Sequence, residues 1–146
     1  MDQSSPMEAG IAVIDRERMY AFYVEVLGMV EVRRADIPAD LSAALSLAPR
    51  GYHCVWLRTP GGEVIKLMSP PDAPEQNQPV DQLTARTGIA YLTFYCRDLA
   101  EVLAKAEARG ARLLSDRTLM ADDSPFKLCF FSDPEGNVIE LVQSPD

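Results

Sequence analysis

The chain has 146 residues, 47% apolar and 25% charged, which is enough to build a globular core. A net charge of −8 and a pI near 4.6 exclude the basic footprint that nucleic-acid binding needs. Met1-Asp2-Gln3-Ser4-Ser5-Pro6 does not read as an export signal and no apolar run would span a bilayer. A cytoplasmic protein acting on small molecules or protein partners is therefore expected.

A strand is predicted over Met7 to Ile14, followed by a helix from an Asp15 N-cap through Arg16 to Leu27, stopped by Gly28. Tyr20, Tyr23, Val24 and Leu27 recur at helical spacing and are expected to face a sheet. Met29 to Arg34 reads as a strand. Ile37 to Arg50 reads as an insertion, broken by Pro38, with a short helix suggested by Leu41, Ala44, Leu45 and Leu47. His53 to Arg58 and Glu63 to Met68 form a hairpin around Thr-Pro-Gly-Gly.

Residues 69–87 contain Pro70, Pro71, Pro74 and Pro79 and read as a linker, neither strand nor helix. Beyond it the order repeats. A strand is predicted from Gly88 to Tyr95, then a helix from Leu99 to Ala108 with Asp98 as N-cap, Glu101 completing a capping box and Gly110 as stop. Strand Arg112 to Ser115 follows, then a loop with Asp122, Asp123, Ser124 and Pro125. The hairpin Phe126 to Ser132 and Asn137 to Gln143 ends the pattern. Cys54, Cys96 and Cys129, an odd number in apolar strand-like runs, fit buried, reduced thiols.

The chain thus says nearly the same thing twice. Thr59-Pro60-Gly61-Gly62-Glu63-Val64-Ile65-Lys66-Leu67 returns as Asp133-Pro134-Glu135-Gly136-Asn137-Val138-Ile139-Glu140-Leu141, with Lys66 replaced by Glu140. The expected organisation is one domain over 1–146, made of β-α-β-β-β modules at 7–68 and 88–143 joined by the linker 69–87.

Phe22-Tyr23-x-x-Val26-Leu27-Gly28, Asp133-Pro134-x-Gly136-Asn137 and Glu140-Leu141 resemble the vicinal oxygen chelate superfamily. That group includes glyoxalase I, methylmalonyl-CoA epimerase, extradiol dioxygenases, and fosfomycin and bleomycin resistance proteins. The resemblance covers both modules in order. It implies an α+β fold in which tandem βαβββ units curl into a half-open barrel, and a homodimer. It also implies metal-ligand positions at the start of each module's first strand and at each hairpin's Glu-Leu, which fall here on Glu8, Tyr91, Lys66 and Glu140.

Only Glu8 and Glu140 of these four are ordinary ligands, and an ammonium at Lys66 repels a cation. With one histidine in the chain, a two-His-one-carboxylate iron site cannot be assembled. No cofactor is therefore expected; Glu8 and Glu140 with His53 are the set that would recruit a divalent metal. Lys66 and Glu140, at equivalent positions, are expected to converge and replace the metal, with Lys66 polarising a carbonyl and Glu140, Glu8 or Tyr91 moving a proton. A salt bridge filling a disused metal site is the plainer alternative.

Pairing across Thr59 to Gly62 puts Arg58 opposite Glu63 and Val55 opposite Lys66. His53, Val55, Leu57, Val64, Lys66 and Met68 then share a face. The same operation puts Lys127, Cys129, Phe131, Val138 and Glu140 together, and alternation adds Tyr91, Thr93 and Tyr95. His53, Val55, Thr93, Tyr95, Lys127, Cys129 and Phe131 are accordingly the expected substrate-binding residues. The function these residues suggest is a metal-independent isomerase or lyase for a small, fairly apolar carbonyl compound. The alternatives are a non-catalytic ligand-sequestering protein and a metal-dependent glyoxalase-like lyase.

Overall fold

The computed structural model describes residues 4–116 and 127–143; the predicted loop with Asp122 to Pro125, and Phe126 after it, lie outside them. The chain divides into two compact units, with the boundary between Glu75 and Gln76. The first contains β1 (Glu8–Ala12), α1 (Arg16–Glu25), β2 (Val30–Ile37), α2 (Ala39–Ala44), β3 (Tyr52–Arg58) and β4 (Val64–Ser69). The second contains a 3-10 turn (Leu83–Ala85), β5 (Leu92–Cys96), α3 (Leu99–Ala108), β6 (Arg112–Leu113), β7 (Lys127–Ser132) and β8 (Val138–Gln143). The fold is α+β, with the β-α-β-β-β order in each half and α2 inserted in the first. The 3-10 turn lies in the stretch expected to hold no helix.

Among the described residues each half builds one four-stranded sheet, ordered β1-β4-β3-β2 and β5-β8-β7-β6. The hairpins β3-β4 and β7-β8 are antiparallel, whereas β1 joins β4 and β5 joins β8 in parallel. Such parallel pairing needs a long crossover, and α1 and α3 each begin one.

Asp15 starts α1, its carboxylate accepting from Arg18 N at 3.0 Å; Asp98 does the same for α3 through Glu101 N at 2.9 Å. The Glu101 side chain turns forward to Lys105 at 2.6 Å, one turn along the helix, in place of the expected capping box. The buried stripe is Met19, Phe22 and Tyr23 of α1 with Val26 just past its end; of the residues expected to face the sheet, only Tyr23 is fully buried. Met19, Phe22, Tyr23 and Val26 are spaced i, i+3, i+4 and i+7, one helical face, and Tyr20, Val24 and Leu27 each lie one position further round from it. On the sheet, Val55, Leu57, Ile65 and Leu67 share one buried face, and α1 lies against β4. In the second half Leu99, Leu103 and Ala106 of α3 cover Cys129, Phe131, Ile139 and Leu141. Full burial of each large apolar side chain contributes about 1.5–3 kcal/mol, so the helix-covered face of each sheet is its core.

Both hairpins turn on three residues, not four. Thr59 N donates to Glu63 O at 2.9 Å and Asp133 N to Asn137 O at 2.8 Å, closing loops at Pro60-Gly61-Gly62 and Pro134-Glu135-Gly136. Gly62 at φ 108 and Gly136 at φ 92 occupy the last loop position, where a three-residue hairpin requires positive φ. Arg58 therefore pairs with Val64, Trp56 with Lys66, and Phe130 with Glu140. This is one residue away from the expected register, and a one-residue slip exchanges the two faces of a strand.

Candidate functional site

The corrected register defines an uncovered face on the first sheet. Lys66 lies opposite Trp56 on β3 and Gly10 on β1, Trp56 lies opposite Arg33 on β2, and Glu8 shares this face two residues before Gly10. Glu8 Oε2 accepts from Lys66 Nζ at 2.6 Å. Lys66 Nζ stands 5.9 Å from the Trp56 ring centroid and Arg33 Cζ 4.8 Å from it, both within cation–π range. Cys54, on the same face, is buried, and burial pushes its thiol up to about 11 although Lys66 and Arg33 pull it down. Two cations, one carboxylate and an indole face are thus gathered.

The second sheet's uncovered face carries Thr93, Phe130 and Glu140. Thr93 Oγ1 donates to Glu140 Oε2 at 2.7 Å. Tyr91 packs edge-to-face on Phe130 with centroids 5.0 Å apart, and Tyr95 is 74% exposed. Thr93 is to Glu140 what Gly10 is to Lys66, the parallel neighbour in register; Tyr91 and Glu8 each lie two residues earlier.

The remaining expected site residues are on the other side. His53 and Val55 point to the helix side of the first sheet, and Val55 is buried beneath α1. Cys129 and Phe131 are fully buried under α3, and Lys127 pairs with Gln143 on that side too. Gln143 accepts there from Leu99 N, the first residue of α3. The slip in register is the physical reason. It also explains why Trp56 and Arg33 were not among the expected site residues: the sequence signal for them is the Gly at the third loop position.

His53 makes a different contact. Asp36, His53 and Ser69 occupy one cross-strand row over β2, β3 and β4. Asp36 Oδ1 lies 2.7 Å from His53 Nδ1, while His53 Nε2 and Ser69 Oγ are buried without a protein partner. His53 is therefore on the opposite face of the sheet from Glu8 and cannot join it around a metal.

The fold family implies a divalent metal at the positions of Glu8, Lys66, Tyr91 and Glu140, and the donors do not fit one. Glu8 is engaged by an ammonium, Lys66 is a cation, and neutral tyrosine is a weak ligand. Among the described residues no three His, Cys, Asp or Glu side chains gather as a metal-binding group. On the first sheet, the Lys66 ammonium is a donor suited to a negative oxygen and the Glu8 carboxylate beside it is an acceptor suited to a proton.

The profile of the Glyoxalase/Bleomycin resistance protein/Dioxygenase superfamily matches residues 7–141. No curated protein matches the chain. A glyoxalase family protein from Bacillus cereus has the same fold at TM-score 0.81 and 19% identity, covering 100% of this chain and 97% of its own. Glyoxalase I from Zea mays, as the V278E mutant, superposes at TM-score 0.71 and 19% identity; 97% of this chain corresponds to 45% of that one, so the chain spans about half its length. The fosfomycin resistance protein FosX from Listeria monocytogenes, in complex with Mn(II) and sulfate, gives TM-score 0.63 and 15% identity, over 97% of this chain and 93% of its own. At these identities the likeness is one of fold.

Proposed function

The chain belongs to the Glyoxalase/Bleomycin resistance protein/Dioxygenase superfamily, and on that footing we propose that it is a metal-independent isomerase or lyase for a small, fairly apolar carbonyl compound. The observation that carries this reading is the Glu8–Lys66 pair on an uncovered sheet face beside Trp56. The Lys66 ammonium donates to the substrate carbonyl oxygen and holds the negative charge as an enolate forms. Glu8, next to it, accepts the proton from the α-carbon. Return of that proton to a neighbouring carbon gives an isomer; departure of a β-substituent gives elimination. The Trp56 ring supplies the apolar surface for the body of the substrate. In the second module Glu140, held by Thr93, and Tyr91 stand at the positions equivalent to Lys66 and Glu8.

A second reading, a non-catalytic ligand-binding protein, is favoured by one observation. Glu8, Lys66 and Glu140 already satisfy one another or a neighbour, while Tyr91 and Tyr95 offer exposed aromatic surface. Proton NMR in D2O with a panel of aryl and alkyl ketones separates the two. The enzyme reading expects α-proton exchange that is lost in Lys66→Met and Glu8→Gln. Ligands that bind without exchange would replace it with the binding reading.

The working unit in this reading is a homodimer, which sedimentation velocity tests. Its compartment is the cytoplasm, a reading supported by Cys54, Cys96 and Cys129, all free thiols. No helix among the described residues is long and apolar enough to cross a membrane.

A further inference from the structure

The segment 76–90, ahead of β5, runs over the second module and is pinned to its hairpin. Asn77 Nδ2 donates to Gly136 O at 3.3 Å, and the Asn77 carbonyl oxygen stands 3.1 Å from where a Cβ on Gly136 would lie. Between this strap and the sheet is a cavity of about 470 Å³. It includes none of Glu8, Lys66, Tyr91 or Glu140. Val80, Leu83, Ile89 and Val138 give it an apolar wall, and Arg86 and Arg112 both line it.

Neither guanidinium is in an ion pair with any described residue. The carboxylate that also lines the cavity, Asp133, is 2% exposed and turned into its own loop. Its Oδ1 accepts from the backbone N of Glu135 and of Asn137, and its Oδ2 from Asn137 Nδ2. In a chain of net charge −8, two arginines on one small cavity that pair with no carboxylate among the described residues leave a local positive field there. Guanidinium forks match carboxylate and sulfonate oxygens in pairs.

We infer that this cavity is a second ligand site, for a small organic anion with an apolar body and one acidic head group. The body lies on Leu83, Ile89 and Val138, and the head group reaches Arg86 and Arg112. The site stands independently of the carbonyl chemistry proposed for Lys66.

Fluorescence titration of the whole chain tests it with two probes of similar body: anionic 8-anilinonaphthalene-1-sulfonate and neutral N-phenyl-1-naphthylamine. Arg86→Gln with Arg112→Gln is expected to weaken the anionic probe about tenfold or more and leave the neutral probe unchanged. Arg86→Lys with Arg112→Lys, keeping the charges, is expected to restore most of the affinity. Hydrogen exchange should show protection of 76–90 on binding. Anionic binding untouched by the Gln pair, weakened equally for the neutral probe, or removed instead by Lys66→Met would overturn the inference.

Discussion

Glu8 and Lys66 join β1 to β4 through a 2.6 Å ion pair in which the lysine side chain is 33% exposed and the glutamate 41%. Pairs this wet contribute about 0–1 kcal/mol, because water and side-chain entropy offset the attraction. Lys66→Met and Glu8→Gln are each expected to change the unfolding free energy by less than about 1 kcal/mol in urea. If the pair is catalytic, the same variants lower turnover by about a hundredfold or more. A large stability loss with unchanged turnover would make the pair a structural clasp.

The repeat made the βαβββ modules legible because capping and loop residues recur in order: Asp15 with Asp98, Gly62 with Gly136. Lys66 and Glu8 were legible by their equivalence to Glu140 and Tyr91. What failed was a count of one. Thr59 and Asp133 belong to the closing pairs of their hairpins, not to the loops, so every strand face derived from a four-residue loop was inverted. His53 and Cys129 come out on the wrong face in this way, and Trp56 is left off the face of Lys66. Alternation alone cannot detect the error, because β3 and β7 carry apolar residues on both faces. The parallel seams were also hidden, since nothing local in β1 or β5 names its partner.

Ser69 Oγ and His53 Nε2 are buried opposite one another without protein partners. An unsatisfied buried hydroxyl costs free energy, and deleting it leaves little behind. Ser69→Ala is expected to be neutral or to stabilise by up to about 1 kcal/mol, read from the urea midpoint at constant slope. A loss above that size would show that the hydroxyl is satisfied in solution, by a bound water for instance.

Burial raises the Cys54 thiol from its ordinary 9.0 to about 11, and the Cys96 thiol to about 11 likewise, with Asp98 adding to the effect. Between those values the unfolded chain has lost protons that the folded chain keeps. The unfolded state then binds fewer protons, so stability falls as pH rises. The fall should begin near 9 and end near 11 for each thiol. Cys54→Ala removes one share, so its urea midpoint should decline less steeply than wild type across that range. Parallel declines would show that the fold does not hold the Cys54 proton.

The two hairpin glycines should respond unequally to the same substitution. Both have positive φ, 108 at Gly62 and 92 at Gly136, where an alanine costs about 1–2 kcal/mol in backbone strain. A Cβ at Gly62 meets nothing within 4 Å, so the strain is its whole cost. A Cβ at Gly136 lies 3.1 Å from the Asn77 carbonyl oxygen, a backbone atom that moves only with its strap. Gly136→Ala should therefore lower the melting temperature more than Gly62→Ala. It should also weaken the anionic probe under that strap, which Gly62→Ala leaves alone. Equal losses, with probe affinity unchanged, would mean that the strap rides freely on the hairpin and does not shape the cavity.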